Sequence, residues 1–549
     1  MKSKVVETDL LCVGGGIAGL MAAIRGRDLG VTAVIAEKGA TRYSGAGRMG
    51  NDHFWCYIPE AHGDDLEAFI KECMLTQLGV MTASLGRTVV RTWLERSYEI
   101  VKLWESWGIE MKHDGKWECS GHSFPGRTMT HLKYRGHNQK PVLTEQAQRR
   151  GVTIMDRVMV FDLLGTADGV TGALAIDTRN DTFIEFRAKS VFLGTGSLGR
   201  VFPNITPALM GNNTRPFTMT GDGRAMAYRI GAELVNLEML SRHAGVKNYS
   251  RSGQGTWAGV CRDPEGKPVG KYVDKPDPKH GDIIMEVDKQ IFERYRQAGR
   301  GPVYMDCAGI SADDLAYLIH GLENEGNAGL LAHLREEGVN LTKNPVEFMT
   351  YELRSQGRLQ MNEKAETTVP GLYAAGDEAT FGISGGAIFG WIAAENAADY
   401  IAKSSIAAAP QVRVIEEKKE FVNALQRRTQ GPDWRDANLA LQQTMLDYAG
   451  LIRSEALLTA GLNHLRRLKE KTQSTLRAKN RWELTRCLEV LNLYDLGELI
   501  FFAALERRES RALHNRSDYP YTDPLLNEKL LAVKRVEGEP KLEWKNTPA

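Results

Sequence analysis

The first forty residues constrain this 549-residue chain more than any other stretch. Asp9-Leu10-Leu11-Cys12-Val13 is a short apolar run of the kind that forms a buried strand. It runs into Gly14-Gly15-Gly16-Ile17-Ala18-Gly19, a GxGxxG. Leu20 to Leu29 then carries helical periodicity, with Leu20, Ala23, Ile24 and Leu29 on one face. Val31 to Ala36 is predicted as a second strand, ending at Glu37. Each residue type has a reason to stand where it does. Gly14 allows a tight strand-to-helix turn, Gly16 lets backbone approach a pyrophosphate, and Gly19 lets helix and strand pack closely. The helix start offers free N–H groups and a positive dipole end to phosphates, with Ile17 and Ala18 as further candidate contacts to the dinucleotide. Glu37, about 20 residues on, can accept hydrogen bonds from a ribose. The stretch is expected to bind a dinucleotide.

A chain of this length exceeds one core, so two to four domains are expected. Lys plus Arg number 70 and Asp plus Glu 69, a balance that gives no support to a nucleic-acid or membrane-surface role. No apolar signal region precedes the first strand, and the longest late apolar run, Leu499 to Leu505, is too short to span a bilayer. A cytoplasmic protein without a membrane span is expected. The cysteines, Cys12, Cys56, Cys73, Cys119, Cys261, Cys307 and Cys487, are too widely spaced for the clusters that hold zinc or iron–sulfur centres. Buried or free thiols are expected, and no metal site.

Further along, Gly39 to Gly50 is glycine-rich and follows Glu37 and Lys38 directly. Its backbone N–H groups, at Gly39, Ser44, Gly45, Ala46 and Gly50, are candidates to continue along the phosphates. Asp64 to Trp107 is expected to be largely helical, with Leu66, Phe69, Ile70, Cys73 and Met74 on its apolar face. Gly121 to Asn138 reads as irregular, Pro141 to Arg149 as a helix and Val152 to Leu164 as strand-like. Ser190 to Leu193 is a buried strand that enters a second GxGxxG, Gly194 to Gly199. Arg200-Val201-Phe202-Pro203 breaks any following helix, so Thr195 and Gly196 are expected to touch the first dinucleotide rather than a second one. Asp222 is expected to cap a helix running from Arg224 to Ile230. Gly253 to Asp282 reads as an exposed loop, Pro302 to Asp306 as a strand and Ala312 to Glu337 as interrupted helix. Thr368 to Asp377 is predicted as a strand ending in Gly376-Asp377, followed by a glycine loop, Phe381 to Gly386, and an alanine-rich helix, Ala387 to Ile401. Beyond about residue 410 glycine becomes rare. Helices are predicted at Val414–Arg427, Trp434–Ala449, Glu455–Ala478 and Trp482–Arg508, with an irregular tail from Tyr519.

Four of these features, in order, resemble the flavoprotein subunit of the fumarate reductase and succinate dehydrogenase superfamily: Gly14 to Gly19 with Glu37, the Ser44 to Gly50 loop, the strand into Gly194-Thr195-Gly196, and Val369 to Asp377 with its glycine loop and helix. Glu509 to Pro520 looks like that family's helical-domain signature. Ser44-Gly45-Ala46, Cys56-Tyr57, Lys140-Pro141 and Asn236-Leu237-Glu238 are most similar to the adenylylsulfate reductase alpha branch. The resemblance implies an α/β fold: a Rossmann-like FAD-binding domain (1–235 and 351–405), an inserted α+β capping domain (236–350) and a C-terminal helical domain (410–549). It implies an FAD-dependent oxidoreductase. Asp377 would bond a ribityl hydroxyl, and Gly386 and Ala387 at the helix start would face the flavin pyrimidine. Tyr43 or Ser44 stands where succinate dehydrogenases carry a histidine that bonds covalently to FAD, so noncovalent FAD is implied.

Other positions depart from the family. Leu353-Arg354-Ser355-Gln356-Gly357-Arg358 occupies the place of a His-Tyr-x-Met-Gly-Gly run, and the arginine-glycine-glutamate-glycine proton-donor run is absent, Arg262-Asp263-Pro264-Glu265-Gly266 being a distorted echo. The substrate is expected between flavin and cap. Arg242, His243, Lys247, Trp257 and Arg262 of the cap, with Arg354 and Arg358, are candidates to hold an anionic small molecule, and His53, Trp55 and Tyr57 are candidates to line the same cavity. The resemblance further implies a ferredoxin-like iron–sulfur partner, for which the Lys267 to Lys279 loop is a candidate docking site. Two other readings stay open: a self-sufficient flavin oxidase or dehydrogenase of the L-aspartate oxidase type, and a non-catalytic FAD electron conduit.

Overall fold

Strand β1 (Lys2–Val13) lies inside a mixed sheet in a computed structural model of the chain. The structure describes residues 1–49, 53–75, 84–120, 128–203, 216–246, 260–269, 295–323, 328–404 and 412–548. Helix α1 (Ile17–Asp28) follows β1 and leads to β2 (Ala33–Glu37), which pairs parallel to β1. The C-terminal half of β1, Thr8 and Leu10 to Val13, is buried, because helices cover the sheet there. The stretch expected to be helical from Asp64 contains α2 (Leu66–Leu75) and α3 (Arg87–Ser106), and the helix expected at Pro141 is α4 (Gln139–Arg149).

The two strands β6 (Thr153–Asp156) and β7 (Val158–Thr166) together make up the strand-like region expected from Val152 to Leu164. They are separated by Arg157 at φ 65°. Strands β8 (Gly169–Asp177) and β9 (Thr182–Leu193) complete the sheet, whose order is β6-β2-β1-β9-β8-β7, with β9 parallel to β1 along most of its length. Where β8 leaves β9 at Arg187, the short parallel strand β16 (Leu372–Ala374) takes its place opposite Val191 to Leu193. Two segments distant in the chain thus end side by side near Val13.

The structure departs from four expectations. First, the helix expected at Ala387 is α8 (Gly382–Ala402), so Phe381 to Gly386 is not a loop. Glycine inside a helix costs about 1 kcal/mol relative to alanine, but a Cβ on Gly385 would lie 2.6 Å from both the Trp93 ring and the Thr380 hydroxyl. Gly385 is kept for close packing, and Gly382, where a Cβ would meet nothing, for its φ of 67°. Second, Asp222 is not an N-cap. It is the first residue of α5 (Asp222–Arg229), and Gly221, at φ 67°, holds the cap position. Third, Gly121 to Asn138 contains β5 (His131–Lys133), the middle strand of a small sheet between β3 (His53–Trp55) and β4 (Glu118–Ser120). Fourth, the tail is not irregular: β17 (Lys529–Val536) and β18 (Glu539–Asn546) form a hairpin across Glu537-Gly538, both at positive φ. That is the backbone a two-residue primed turn requires.

A separate apolar core gathers residues between Val260 and Phe348 around β12 (Cys261–Arg262), β13 (Val303–Met305), α6 (Ala312–Leu322) and α7 (Ala328–Glu336). Within the segment read as an exposed loop, Val260, Cys261 and Val269 are therefore buried, and the rest of that loop lies mostly outside the described residues. Two strands connect this region to the main body: β11 (Leu240–Val246) and β14 (Val346–Ser355), paired antiparallel. The C-terminal helices occur as expected: α9 (Val412–Arg427), α10 (Trp434–Ala449), α11 (Glu455–Thr475) and α12 (Arg481–Glu506). No helix among the described residues is long and apolar enough to cross a membrane.

Helices α1 and α8 cross where a Cβ on Gly390 would lie 2.5 Å from the Ala18 carbonyl oxygen. Gly390→Ala is therefore expected to overpack the crossing, at a cost of about 1–3 kcal/mol, and to lower the thermal unfolding midpoint. An unchanged midpoint would mean that the two helices do not approach this closely.

Candidate active site

A cleft opens where β1, β2, β9 and β16 end, bordered by Val13, Ala36, Gly194 and Ala375. This is the crevice at which parallel α/β sheets take their ligands. Gly14 turns the chain at φ 98°, and a Cβ there would lie 2.6 Å from the Gly194 carbonyl oxygen. The two glycine turns therefore touch. A Cβ on Gly19 would lie 1.9 Å from the Gly14 carbonyl oxygen, so Gly19 serves helix–strand packing and does not line the cleft.

Helix α1 starts at the cleft with Gly16, Ile17 and Ala18 on its wall. It has no side-chain cap and no acidic residue in its first turn. The first N–H groups of a helix have no intrahelical acceptor. Here no side chain caps them either, which suits a diphosphate.

Glu37 holds the floor. Its carboxylate accepts from the N–H of Gly15 at 2.7 Å, the N–H of Gly39 at 2.6 Å and the Ser44 hydroxyl at 2.9 Å. A carboxylate has about four acceptor positions, so one remains for a ligand hydroxyl. Gly39 and Ser44 do not line the cleft; they hold Glu37, while Gly45 and Ala46 of the same loop do line it. Gly50 lies outside the described residues. Behind the turn, buried Lys140 donates to the Gly15 carbonyl. Burial brings its pKa down to about 8, against the pull of Glu37 and Asp156. The similarity of Lys140-Pro141 to the adenylylsulfate reductase alpha branch is its one sequence signal, and that signal does not point to this role.

Thr195, Gly196, Gly376, Asp377 and Gly386 line the cleft as expected, and Ala387 is packed inside α8 away from it. Gly382, Ile383, Met159 and Met219 line it without having been expected there. Lys38 and Asp222 form one edge, 2.7 Å apart. Burial pushes the Asp222 pKa up, but Lys38, Asn492 and Thr220 outweigh it and hold the carboxyl below its ordinary value. Lys38 also lies 2.7 Å from Glu489 of α12, which is itself buried against Arg200 at 2.9 Å and Arg486 at 3.1 Å.

Asp377 accepts from the Gly382 N–H at 2.9 Å and faces both this cleft and a second cavity of about 290 Å³. The cavity is rich in cations. Arg354 and Arg358 of the sequence candidates lie on its wall, joined by Arg224, Arg507, Arg511 and Lys529, which sequence reasoning missed. Arg511 lies in the helical-domain signature that begins at Glu509, the one signal that could have drawn attention to it, and Arg507 stands two residues before that signature. Their charges are already met: Arg507 lies 2.6 Å from Glu238 and 2.7 Å from Glu509, and Arg511 lies 2.7 Å from Glu509. Arg224 is enclosed by carbonyls, donating to Gly357 and Gly196 at 2.8 Å each and to Asp377.

Arg358, on β15 (Arg358–Leu359), is different. It is 8% exposed, donates to the Ser84 hydroxyl at 2.6 Å and has no carboxylate at ion-pair distance among the described residues. Burial and the like charge of Arg224 lower its pKa to about 10.

The remaining candidates are not gathered there. Arg262, on β12, donates to the Cys261 carbonyl and does not line the cavity. Arg242 and His243 stand on β11, where Ser241 pairs with Arg354 and His243 with Tyr351, but their side chains lie outside the described residues, as do Lys247, Trp257 and most of the Lys267 to Lys279 loop. His53, Trp55 and Tyr57 do not line the cavity either. Trp55 packs against Trp93, with ring centroids 4.6 Å apart, and stacks on Phe381 at 5.7 Å, so it supports the wall from behind. Its large apolar ring is worth more in the core than at a wet surface. Among the described residues no cluster of metal-ligating side chains is present.

Comparison with known proteins agrees with this geometry. The sequence model of the FAD binding domain family matches residues 9–389, and that of the fumarate reductase flavoprotein C-terminal region matches 438–548. A fumarate reductase (CoM/CoB) subunit of Methanothermobacter marburgensis is 24% identical over 98% of this chain and 99% of its own. L-aspartate oxidase of Streptomyces coelicolor is 25% identical, over 94% of this chain and 90% of its own. Adenylylsulfate reductase from Archaeoglobus fulgidus has the same fold, with a TM-score of 0.85 at 22% identity, covering 100% of this chain and 96% of that one. With the glycine turns, the open helix start and the acid of β2 in one cleft, and a family match across most of the chain, the protein belongs to the FAD binding domain family, with the C-terminal region of the fumarate reductase flavoproteins, and is an FAD-dependent oxidoreductase.

Proposed function

We propose that the protein is a flavoprotein subunit that exchanges electrons between a small anionic substrate and an iron–sulfur partner, with FAD held noncovalently in the cleft. The single observation that carries the substrate class is Arg358, a buried guanidinium beside a cavity, bonded to the Ser84 hydroxyl and with no counter-charge among the described residues. A buried charge is stable only when paired, and an anion in the cavity completes it. FAD supplies the hydride and single-electron chemistry when bound. The chain's own residues bind, orient and exclude water: Gly14, Gly16 and the α1 start take the diphosphate, Glu37 a ribose, Asp377 a ribityl hydroxyl, and Arg354 and Arg358 the substrate. Tyr43, which is exposed, and Ser44, which is bonded to Glu37, offer no histidine for a covalent flavin link. The Methanothermobacter relative is itself one subunit of its enzyme, which supports a partner. The likeness to L-aspartate oxidase supports a second reading, an oxidase that needs no partner. Release of hydrogen peroxide from an amino acid in air by the isolated chain, with no iron–sulfur protein copurifying, would select that reading.

Gly14→Ala puts a Cβ against the Gly194 carbonyl at a positive φ and is expected to lower the thermal unfolding midpoint and to give protein that is colourless after purification, read from its flavin absorbance. For the cavity, malonate titrated into the holoprotein and followed by flavin absorbance is expected to bind. Arg358→Gln should weaken that binding roughly ten- to a hundredfold, the value of about 1.5–3 kcal/mol for a charged hydrogen bond, and Arg358→Lys should restore part of it. Equal affinity in all three proteins would remove Arg358 from the site.

A further inference from the structure

The arginine cavity has little with which to move a proton. Among the described residues on its wall, Asp377 and Lys529 are the titratable groups other than arginine, and there is no histidine, tyrosine or glutamate. One carboxyl lies just behind that wall. Glu378 ends the turn after β16 and is fully buried. Its Oε2 accepts from the Thr195 N–H at 3.1 Å and from the Thr195 hydroxyl. Its Oε1 has no hydrogen-bond partner and lies 3.6 Å from Nη1 of Arg224.

Thr195 faces the cleft, and its hydroxyl oxygen accepts from the Gly223 N–H at 2.9 Å. That oxygen therefore has one fixed donor and one proton of its own to place, either on Glu378 or toward the cleft. The first turn of α5 is shaped around the pair. A Cβ on Gly223 would lie 2.6 Å from Glu378 Oε2 and 2.8 Å from the Thr195 hydroxyl. Glu378 thus touches a cleft-lining hydroxyl on one side and a cavity-lining guanidinium on the other.

We propose that Glu378 and Thr195 form a proton relay at the floor of the cleft, Glu378 taking up one proton from solvent for each pair of electrons that enters the site and releasing it when they leave. In the uptake step the Thr195 hydroxyl gives its proton to Glu378 Oε2 and receives another from the cleft side. One carboxyl O–H bond forms, the hydroxyl is regenerated, and the proton comes from water; the electrons come from the reductant that reduces the cofactor. Added negative charge in the cleft draws the proton in, because a fully dehydrated carboxylate has no water to share that charge.

The groups that set the balance come from each element around the pair. Arg224 of α5 favours the carboxylate, Asp222 of the same helix opposes it, and burial is the largest influence, raising the pKa above its ordinary value. Asp377 precedes Glu378 on its own turn, and Lys38 and Arg358 act at one remove, through Asp222 and Arg224 respectively. The proposal depends on the cleft holding the cofactor and is independent of which anion the cavity takes, so failed malonate binding would leave it standing.

Redox-difference infrared spectroscopy of the holoprotein, reduced with dithionite, tests it. A protonated-carboxyl carbonyl band is expected to appear on reduction, to shift in D₂O and to be absent in Glu378→Gln. The flavin midpoint potential should fall more steeply with pH in the wild type than in Glu378→Gln, by one proton per two electrons, about 30 mV per tenfold change in proton concentration. Should Glu378→Gln fail to retain flavin, Thr195→Val keeps the carboxyl and removes the hydroxyl. It is expected to retain the band while slowing proton uptake in stopped-flow with a pH indicator. No carboxyl band in the wild type, the same band in Glu378→Gln, or unslowed uptake in Thr195→Val would overturn the relay.

Discussion

Everything in this molecule depends on how closely four pieces of backbone approach one another around Gly14. The turn after β1 touches the turn after β9 through Gly14 and Gly194, α1 leans on the Gly14 carbonyl through Gly19, and α8 crosses α1 at Ala18 through Gly390. No side chain fits in any of these gaps. Packing at that distance brings four strand ends and two helix starts to one place, so backbone N–H groups and small residues, rather than long side chains, make most of the cleft wall. A wall of this kind recognises the invariant parts of a dinucleotide and leaves its redox chemistry to the cofactor.

Around that bare centre the protein concentrates buried charge. Lys38, Asp222, Glu489, Arg200 and Arg486 form one chain of ion pairs from the cleft into α12, and Arg507, Glu238 and Glu509 form another beside the cavity. Dehydrated pairs add little net stability, but removal of one member leaves its partner stranded. Their value here is positional, since they join segments hundreds of residues apart and fix one registry between the sheet and the C-terminal helices. Arg358 and Glu378 stand out against this background, each buried with its charge incompletely met.

The amino acid pattern reveals the cleft more readily than the cavity, for a physical reason. Gly14, Gly16, Gly19 and Glu37 work through local geometry, and spacing along one short stretch exposes that. The four C-terminal helices are legible because 3.6-residue periodicity repeats over many turns. The cavity is assembled from Ser84, Arg224, Arg358, Arg507 and Lys529, residues that no local rule connects. Arginine also has the same appearance in sequence whether it is solvated or buried. Two of the departures are of one kind. Gly382 to Gly386 look like helix breakers by local preference, yet Trp93 requires smallness at Gly385; Asp222 looks like a cap, yet Lys38 claims its carboxylate. In both cases a distant contact outweighs a local preference. The hairpin at the chain's end is hard to read because its turn is Glu537-Gly538 and its outer face alternates with charge, both weak signals.

That hairpin links the order of synthesis to the order of assembly. Strand β17 pairs with β10 (Leu234–Val235), whose other neighbour is β15, the strand that carries Arg358. Lys529, Leu530 and Thr547 then close one side of the cavity. On the ribosome, every strand bordering the cleft emerges before these residues. A nascent chain therefore completes the strands around the cleft while the cavity still lacks the wall that Lys529, Leu530 and Thr547 supply.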